Sequence, residues 1–446
     1  MPSDPRRDVL FPPGGPAGAR FVSGAFREFA EKAFAPGSIP KKPEALAGIR
    51  VLEVATRIFG PATADTLGLF GAEVIKVELP PRGDLMRYVA PEGFFWKEVS
   101  PAFLPLNRNK LHAGLDLHPA EGKDLFLRLA EMSDVVVENL RAGTMDEWGV
   151  GYLQLRRRNP RIVYAANSGF GQWGPYSAGR ASYDATAQAV SGFSAVTGFP
   201  DQPPMKAGFW VGDYTAALMS AIAILAALAA RRKTGEGQMI DLSQAEAMIR
   251  TLDWTWPYAG MTGKDRLRNG NVDPSYPPSG IYRCRDGFVA VSARDADERV
   301  SLARALAAPD PGEGGILPPE RVAAFCASKT VGEVLRRAEA GGFSAAPVRG
   351  GRDQYHDPHL RARGTVCTVD DPLLGRVDEY GPAPKLSESP GRVKWCAKPV
   401  GWDNDRVFGG LLGLSGDERN ALASRNVIGE WADIPGARPP GRGAST

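Results

Sequence analysis

The chain of 446 residues predicts an α/β protein, with an open parallel sheet in a large domain and a smaller α+β domain after it. Three observations predict this. Short β-branched apolar runs alternate with helical stretches as far as Arg250. Composition then shifts to a stretch rich in Pro, Gly and Trp. Beyond it, GIYRCRDGFVAVSA has the pattern of two short strands joined by the tight turn Arg285, Asp286, Gly287. The length itself is too great for one simple core.

In chain order, residues 1–46 are rich in Pro, Gly and Arg and read as an extension over the main body, with one amphipathic piece, FREFAEKAFA. Order begins at LAGIRVLEVATRIFGPATADTLGLFGAEVIKVEL. There 49–54 reads as a buried strand, Pro61 favours the start of a helix, Gly71 suits its end, and 74–77 begins a second strand. Two strands joined by a helix should lie parallel. GKDLFLRLAEMSDVVVENL repeats the pattern with a strand at 135–137, and LQLRRRNPRIVYAANSGFG with a strand at 162–165. The result is a Rossmann-like sheet with helices on both faces. The loop after its first strand, ATRIFGP, lacks GxGxxG, so the fingerprint of a dinucleotide-binding dehydrogenase is missing.

Residues 216–230 carry no charge. The run is shorter than the roughly 20 residues that cross a bilayer and is dominated by alanine, so it reads as a buried helix rather than a membrane span. Arg231, Arg232 and Lys233 complement its negative end and Gly235 stops it. The large domain thus runs over 47–252, a linker over 253–275, and a small domain over 276–365. Residues 366–446 form a further linker and a C-terminal return that includes a helix at SGDERNALASR and a Pro/Gly tail.

Charge excludes some functions. A balance of 54 basic and 51 acidic residues, spread evenly, argues against a nucleic-acid or membrane partner. The four cysteines show no CxxC spacing, so no zinc site or disulfide framework is expected, and His356 and His359 in HDPH lack a third ligand. The start has no signal-peptide pattern, and a cytoplasmic location is expected. No GxSxG or Ser-His-Asp arrangement points to a hydrolase.

Asp213, at the mouth of the alanine-rich helix, has two readings. It can cap the helix by accepting a hydrogen bond from a first-turn N–H. It can also be a carboxylate held ionised by the positive end of the helix and available as a nucleophile.

Nine segments, among them LAGIRVLEVATRIFGP, FGAEVIKVELPPRGD, NRNKLHAGLDLHPAEGKDLFLRL, SDVVVENLRAGTMDEWGVGY, YDATAQAVSGFSAVTGFPDQPP and GDYTAALMSAIAILAALAARRKTGEGQMIDLSQAEAM, occur in one order over about residues 47–395. In this the chain resembles the class III CoA-transferase family, which includes formyl-CoA and carnitine CoA-transferases and 2-methylacyl-CoA racemases. The resemblance implies that Asp213 attacks a donor acyl-CoA, plausibly succinyl-CoA, and passes through an aspartyl anhydride and an aspartyl-CoA thioester. It implies coenzyme A as the carried group, no metal, a carboxylic acid acceptor, and an interlocked homodimer, with a hetero-oligomer open as a variant.

By position in the family's motifs, Arg82, Arg108, Lys110, Asn139 and Arg141 are candidates for CoA contact, Tyr183 for packing against substrate or CoA, and Ile58 and Phe59 for the loop where formyl-CoA transferases have Gln. Racemase relatives have a His where this chain has Tyr183. A tyrosine titrating near 10 is a poor base at neutral pH, which favours transfer over racemisation. A racemase and a non-catalytic CoA-binding subunit remain the alternatives. Phe94, Phe95, Trp96, Trp210, Trp254, Trp256 and Tyr258 suggest an apolar pocket for a bulky or aromatic acid, or packing between domains.

Overall fold

The computed structural model describes residues 24–97, 99–177, 180–273, 275–308 and 317–431. Residues 1–23 of the expected N-terminal extension and the Pro/Gly tail from 432 onward lie outside the described residues. The chain divides into two compact units. The larger holds 34–194, 206–265 and the residues from 358 onward; the smaller holds 195–205 and 266–357 together with the N-terminal helix Gly24–Ala33.

The larger unit is built on a six-stranded sheet. In chain order its elements are β1 (Arg50–Val54), α1 (Phe59–Leu69), β2 (Glu73–Glu78), β3 (Lys110–Gly114), α2 (Ala120–Glu131), β4 (Val135–Glu138), α3 (Tyr152–Arg158) and β5 (Val163–Ser168). After these come α4 (Asp184–Val190), α5 (Val211–Thr234), β6 (Met239–Ser243), α6 (Gln244–Arg250) and α7 (Thr255–Thr262). The strand order is β3-β2-β1-β4-β5-β6, all parallel. Side chains alternate between two cores. Leu52, Ile75, Val136 and Tyr164 pack with Phe126, Leu129 and Leu155 of α2 and α3 on one face. Val51, Val74, Val135 and Val163 pack with Leu67 of α1 and Ile224 and Leu228 of α5 on the other. The order reverses between β1 and β4, and in open parallel sheets the crevice at such a reversal is where ligands bind.

Two strands of this sheet are not anticipated by the sequence. In β3 a buried ion array replaces the apolar pattern: Lys76 Nζ lies 2.7 Å from Glu53 Oε1, and Lys110 Nζ 2.7 Å from Glu53 Oε2, all three side chains fully buried. At the edge, β6 alternates exposed and half-buried residues after a short turn. The expected linker over 253–275 contains α7, and its residues divide at 265–266 between the two units.

The long helix α5 departs from the expectation of full burial. Ala216, Ala217, Ser220, Ala221, Ile224, Ala227, Leu228 and Arg231 face the protein, whereas Leu218 is 56% and Ile222 66% exposed, with Tyr214 and Leu225 on the same outer face. Its C-terminus ends as expected. Gly235, at φ 80°, takes the left-handed conformation and donates to Arg231 O at 2.9 Å, while the Arg231 guanidinium reaches Asp134 Oδ1 at 2.7 Å.

In the smaller unit β7 (Gly280–Arg283), β8 (Phe288–Ser292) and β9 (Ser344–Pro347) form an antiparallel sheet. The expected hairpin closes with Cys284 N donating to Gly287 O at 2.8 Å. Val289, Val291 and Tyr282 pack on α8 (Ala296–Ala305), α9 (Pro319–Ala327) and α10 (Val331–Gly341). This unit also takes in 195–205, tied by the Arg268 guanidinium to the carbonyls of Phe199 at 3.2 Å and Gln202 at 3.1 Å. The remaining residues of the larger unit contain the hairpin β10 (Val366–Asp371) and β11 (Gly375–Tyr380) and the helix α11 (Gly416–Ser424), which begins at the capping box Ser415–Glu418.

Candidate active site

A cleft of about 560 Å³ opens at the carboxyl ends of β1, β4 and β5, where the strand order reverses. Thr56 to Phe59 line it after β1, Asn139 to Ala142 after β4, and Asn167 to Phe170 at the end of β5; Asp213, from the first turn of α5, also lines it.

The first loop is fastened from two sides. Asn139 makes a reciprocal pair with the Thr56 backbone, accepting from its N–H at 2.9 Å and donating to its carbonyl at 2.7 Å. Asp84, buried, accepts from Thr56 Oγ1 at 2.9 Å, from Arg57 N at 2.8 Å and from Met86 N at 2.9 Å. Asp84 is in turn held by Lys76 Nζ at 2.9 Å. Burial disfavours the Lys76 ammonium, but Asp84 and Glu53 outweigh that and its pKa is raised. These bonds keep Arg57 at φ 65°, a left-handed conformation that costs a non-glycine residue about 1–2 kcal/mol. Gly60 follows because a Cβ there would sit 2.4 Å from Ala55 Cβ.

Asp213 is the third residue of α5, whose N-cap is Trp210, so the capping reading of Asp213 does not hold. Asp184 of α4 caps the helix instead, accepting from Gly212 N at 2.8 Å. The approach needs glycine, since a Cβ on Gly212 would lie 3.1 Å from Asp184 Oδ1 and 2.9 Å from Met248 Sδ. The Asp213 carboxylate accepts no hydrogen bond among the described residues and faces the cleft. Burial, and then the charge of Asp184, push its pKa up to about 7; the Arg57 guanidinium pulls the other way. It is thus a poorly solvated carboxylate, ionised for a large fraction at neutral pH and free to attack.

Several sequence-predicted residues meet here. Ile58, Phe59, Tyr183, Asn139 and Arg141 line the cleft with Asp213. Tyr183 is the N-cap of α4, and the Arg57 guanidinium lies over its ring at 4.9 Å. Asn139 uses its Oδ1 and one of its two amide hydrogens on Thr56, clamping the loop while it lines the cleft.

Three predicted CoA contacts are not brought here. The fully buried Lys110 ammonium donates to Pro61 O at 2.9 Å and Asn107 Oδ1 at 3.0 Å besides pairing with Glu53. Arg108 is buried in a fork with Asp65 at 3.1 and 3.2 Å. Arg82 is exposed and not among the lining residues. Of the aromatics expected around an acyl pocket, only Trp210 lines the cleft; Trp96 packs into a core and Trp254 stacks edge-on with Tyr258.

The sequence reading missed Arg57, Arg180 and Lys206, which with Arg141 give the cleft four cations, and Asn167 and Ser168. Asn167 Oδ1 accepts from Ser220 Oγ at 2.8 Å, while its Nδ2 and the Ser168 hydroxyl are buried without a partner among the described residues. A signal existed for two of these: Arg57 and Asn167 stand at the carboxyl ends of strands readable from the sequence.

Comparison with known proteins identifies the family. CoA-transferase family III matches over residues 46–404. The chain is 35% identical over 408 residues to the succinyl-CoA–D-citramalate CoA-transferase of Chloroflexus aurantiacus, with 88% of this chain and 100% of that one covered. It is 36% identical over 397 residues to the alpha subunit of a succinyl-CoA–L-malate CoA-transferase of Chloroflexus aurantiacus, covering 86% of this chain and 92% of the relative. A crystal structure of a CAIB/BAIF family protein from Brucella suis superposes with a TM-score of 0.74 at 28% identity, covering 83% of this chain and 100% of that one. The chain belongs to CoA-transferase family III and is a CoA-transferase.

Proposed function

We propose that the protein moves CoA from succinyl-CoA to a small dicarboxylic acid, with Asp213 as covalent nucleophile. One observation carries the reading: a carboxylate without a hydrogen-bond partner among the described residues, at the positive end of a helix, in a cleft bordered by four cations. The Asp213 carboxylate attacks the donor thioester carbonyl, giving an acyl-aspartyl anhydride and CoA thiolate. The thiolate attacks the aspartyl carbonyl, releasing the donor acid and leaving an aspartyl-CoA thioester. The acceptor carboxylate then attacks that thioester, forming a second anhydride and CoA thiolate. Attack of the thiolate on the acceptor's carbonyl yields acceptor-CoA and restores Asp213. Each step exchanges one activated acyl bond for another, so no external energy source is needed.

The donor and acceptor class are supported by the names of the two Chloroflexus relatives, which join succinyl-CoA to hydroxylated diacids. A polar diacid is supported by the four cations that line the cleft beside Phe59, Phe170, Tyr183 and Trp210, since they can pair with a second carboxylate. Intact-mass measurement after mixing with succinyl-CoA in the absence of acceptor tests the mechanism. An adduct that maps to the peptide holding Asp213, and is missing in Asp213→Asn, is expected. A variant that still transfers CoA at the wild-type rate would overturn it.

A second copy of the chain is the partner we propose. The apolar outer face of α5 supports it, with Leu218 and Ile222 more than half exposed beside Tyr214 and Leu225 on a helix whose opposite face is packed.

A further inference from the structure

We propose that Arg57 is the specificity residue of the site, pairing with the second carboxylate of a dicarboxylic substrate, and that Asp84, held by Lys76, is the positioning residue that aims it. The inference rests on the CoA-transfer reading above and adds which side chain selects the acid.

The argument starts from what a diacid presents at Asp213. One end of it is consumed in the thioester or anhydride, and the other end is a carboxylate carried into a partly closed cleft. An unpaired charge there is costly, and a planar guanidinium is the best match for a carboxylate. The four cations of the cleft are not equivalent. Arg180 lies 4.3 Å over the Tyr176 ring, and Lys206 Nζ donates to the carbonyl of Ala207 at 3.1 Å. Arg57 and Arg141 make no salt bridge and no side-chain hydrogen bond among the described residues, and of these two it is Arg57 whose charge pulls down the pKa of Asp213. Among the described residues its side chain rests on the Tyr183 ring, at 4.9 Å. The phosphates of CoA sit at the far end of the pantetheine arm from the thioester, so a cation beside the nucleophile is badly placed for them and well placed for the acyl group.

The backbone is arranged to the same end. Arg57 departs from the right-handed regions at φ 65°, and the bond from its N–H to Asp84 Oδ1, at 2.8 Å, holds it there. The same Asp84 oxygen accepts from Thr56 Oγ1 at 2.9 Å, and its partner oxygen takes the buried Lys76 ammonium at 2.9 Å. The cation is therefore presented from a loop that cannot relax without giving up two hydrogen bonds to a carboxylate that a buried ion pair fixes in place.

The test compares succinyl-CoA with butyryl-CoA as donors, a pair that differs by the distal carboxylate, at a pH well above the titration of Asp213. The wild-type preference for succinyl-CoA in kcat/KM is expected to fall by about 10- to 100-fold in Arg57→Gln, the scale of a lost charge-assisted contact, and to recover in part in Arg57→Lys. Equal losses with both donors, or an unchanged ratio, would overturn the proposal. Asp84→Asn is expected to lower the same ratio; a proportional loss with both donors would reduce Asp84 to a structural role and overturn its part. Calorimetric binding of free succinate against butyrate reads the contact without turnover. If wild-type protein forms no acyl adduct at all, the transfer reading fails. If it forms the adduct but Arg57→Gln binds succinate as tightly as wild type, only the present proposal fails.

Discussion

Asp213 is a nucleophile only when ionised, and its pKa is pushed up to about 7, first by burial and then by Asp184. Turnover is accordingly expected to rise with pH through about 7 and level off above it, and Arg57→Gln should move that rise to higher pH. A pH profile of kcat/KM checks both. Stability runs the opposite way. A carboxyl whose folded pKa lies above its unfolded value of about 4 is held protonated by the fold, so its ionisation costs nothing below about pH 4. That cost grows as pH rises and is complete above about 7. Asp213→Asn should therefore raise Tm more at about pH 8 than at about pH 5, measured by thermal unfolding, while abolishing activity. The residue's type and place in its helix are readable from the sequence. Its rise in pKa is not, because Asp184 comes from a different helix, fixed there by Gly212 N.

At the scale of elements, β1 and β2 carry charges where their pattern calls for apolar side chains. Glu53 and Lys76 are register partners and Lys110 of β3 meets Glu53 as well. Replacing one member leaves the rest as unpaired buried charges, so Lys76→Met should destabilise the protein by about 3–5 kcal/mol in urea unfolding. The same array hides β3 from a reading of hydrophobic periodicity: KLHAG is fully buried, but its Lys and His look like surface residues. The helix α5 is the converse case. Its apolar run reads as buried all round, yet the chain itself covers one face and leaves Tyr214, Leu218, Ile222 and Leu225 outward. Ile222→Glu is expected to convert a dimer to a monomer in light scattering with little change in the folded chain. A monomeric wild type would remove the dimer proposal.

For the whole molecule, formal net charge is only +3, and the evenness of the charges argues against any strongly basic face. The fold nevertheless draws Arg57, Arg141, Arg180 and Lys206 to one cleft. Their attraction for a polyanionic acyl-CoA is screened by salt, so KM for acyl-CoA should rise several-fold between about 0.05 and about 0.5 M salt while kcat changes less. Steady-state kinetics in an inert salt measures this. The local pattern of the chain by itself determined the alternation of strand and helix, the hairpin of the smaller unit, the C-terminal end of α5 and the acid in its first turn, since these depend on neighbours a few residues apart. Only the tertiary structure decided that β1 and β4 lie side by side, that Asn139 and Asp84 fasten the Thr56–Arg57 loop, and that Lys110 and Arg108 are spent in the core. Those outcomes turn on pairings between residues tens of positions apart, and periodicity along a chain carries no record of them.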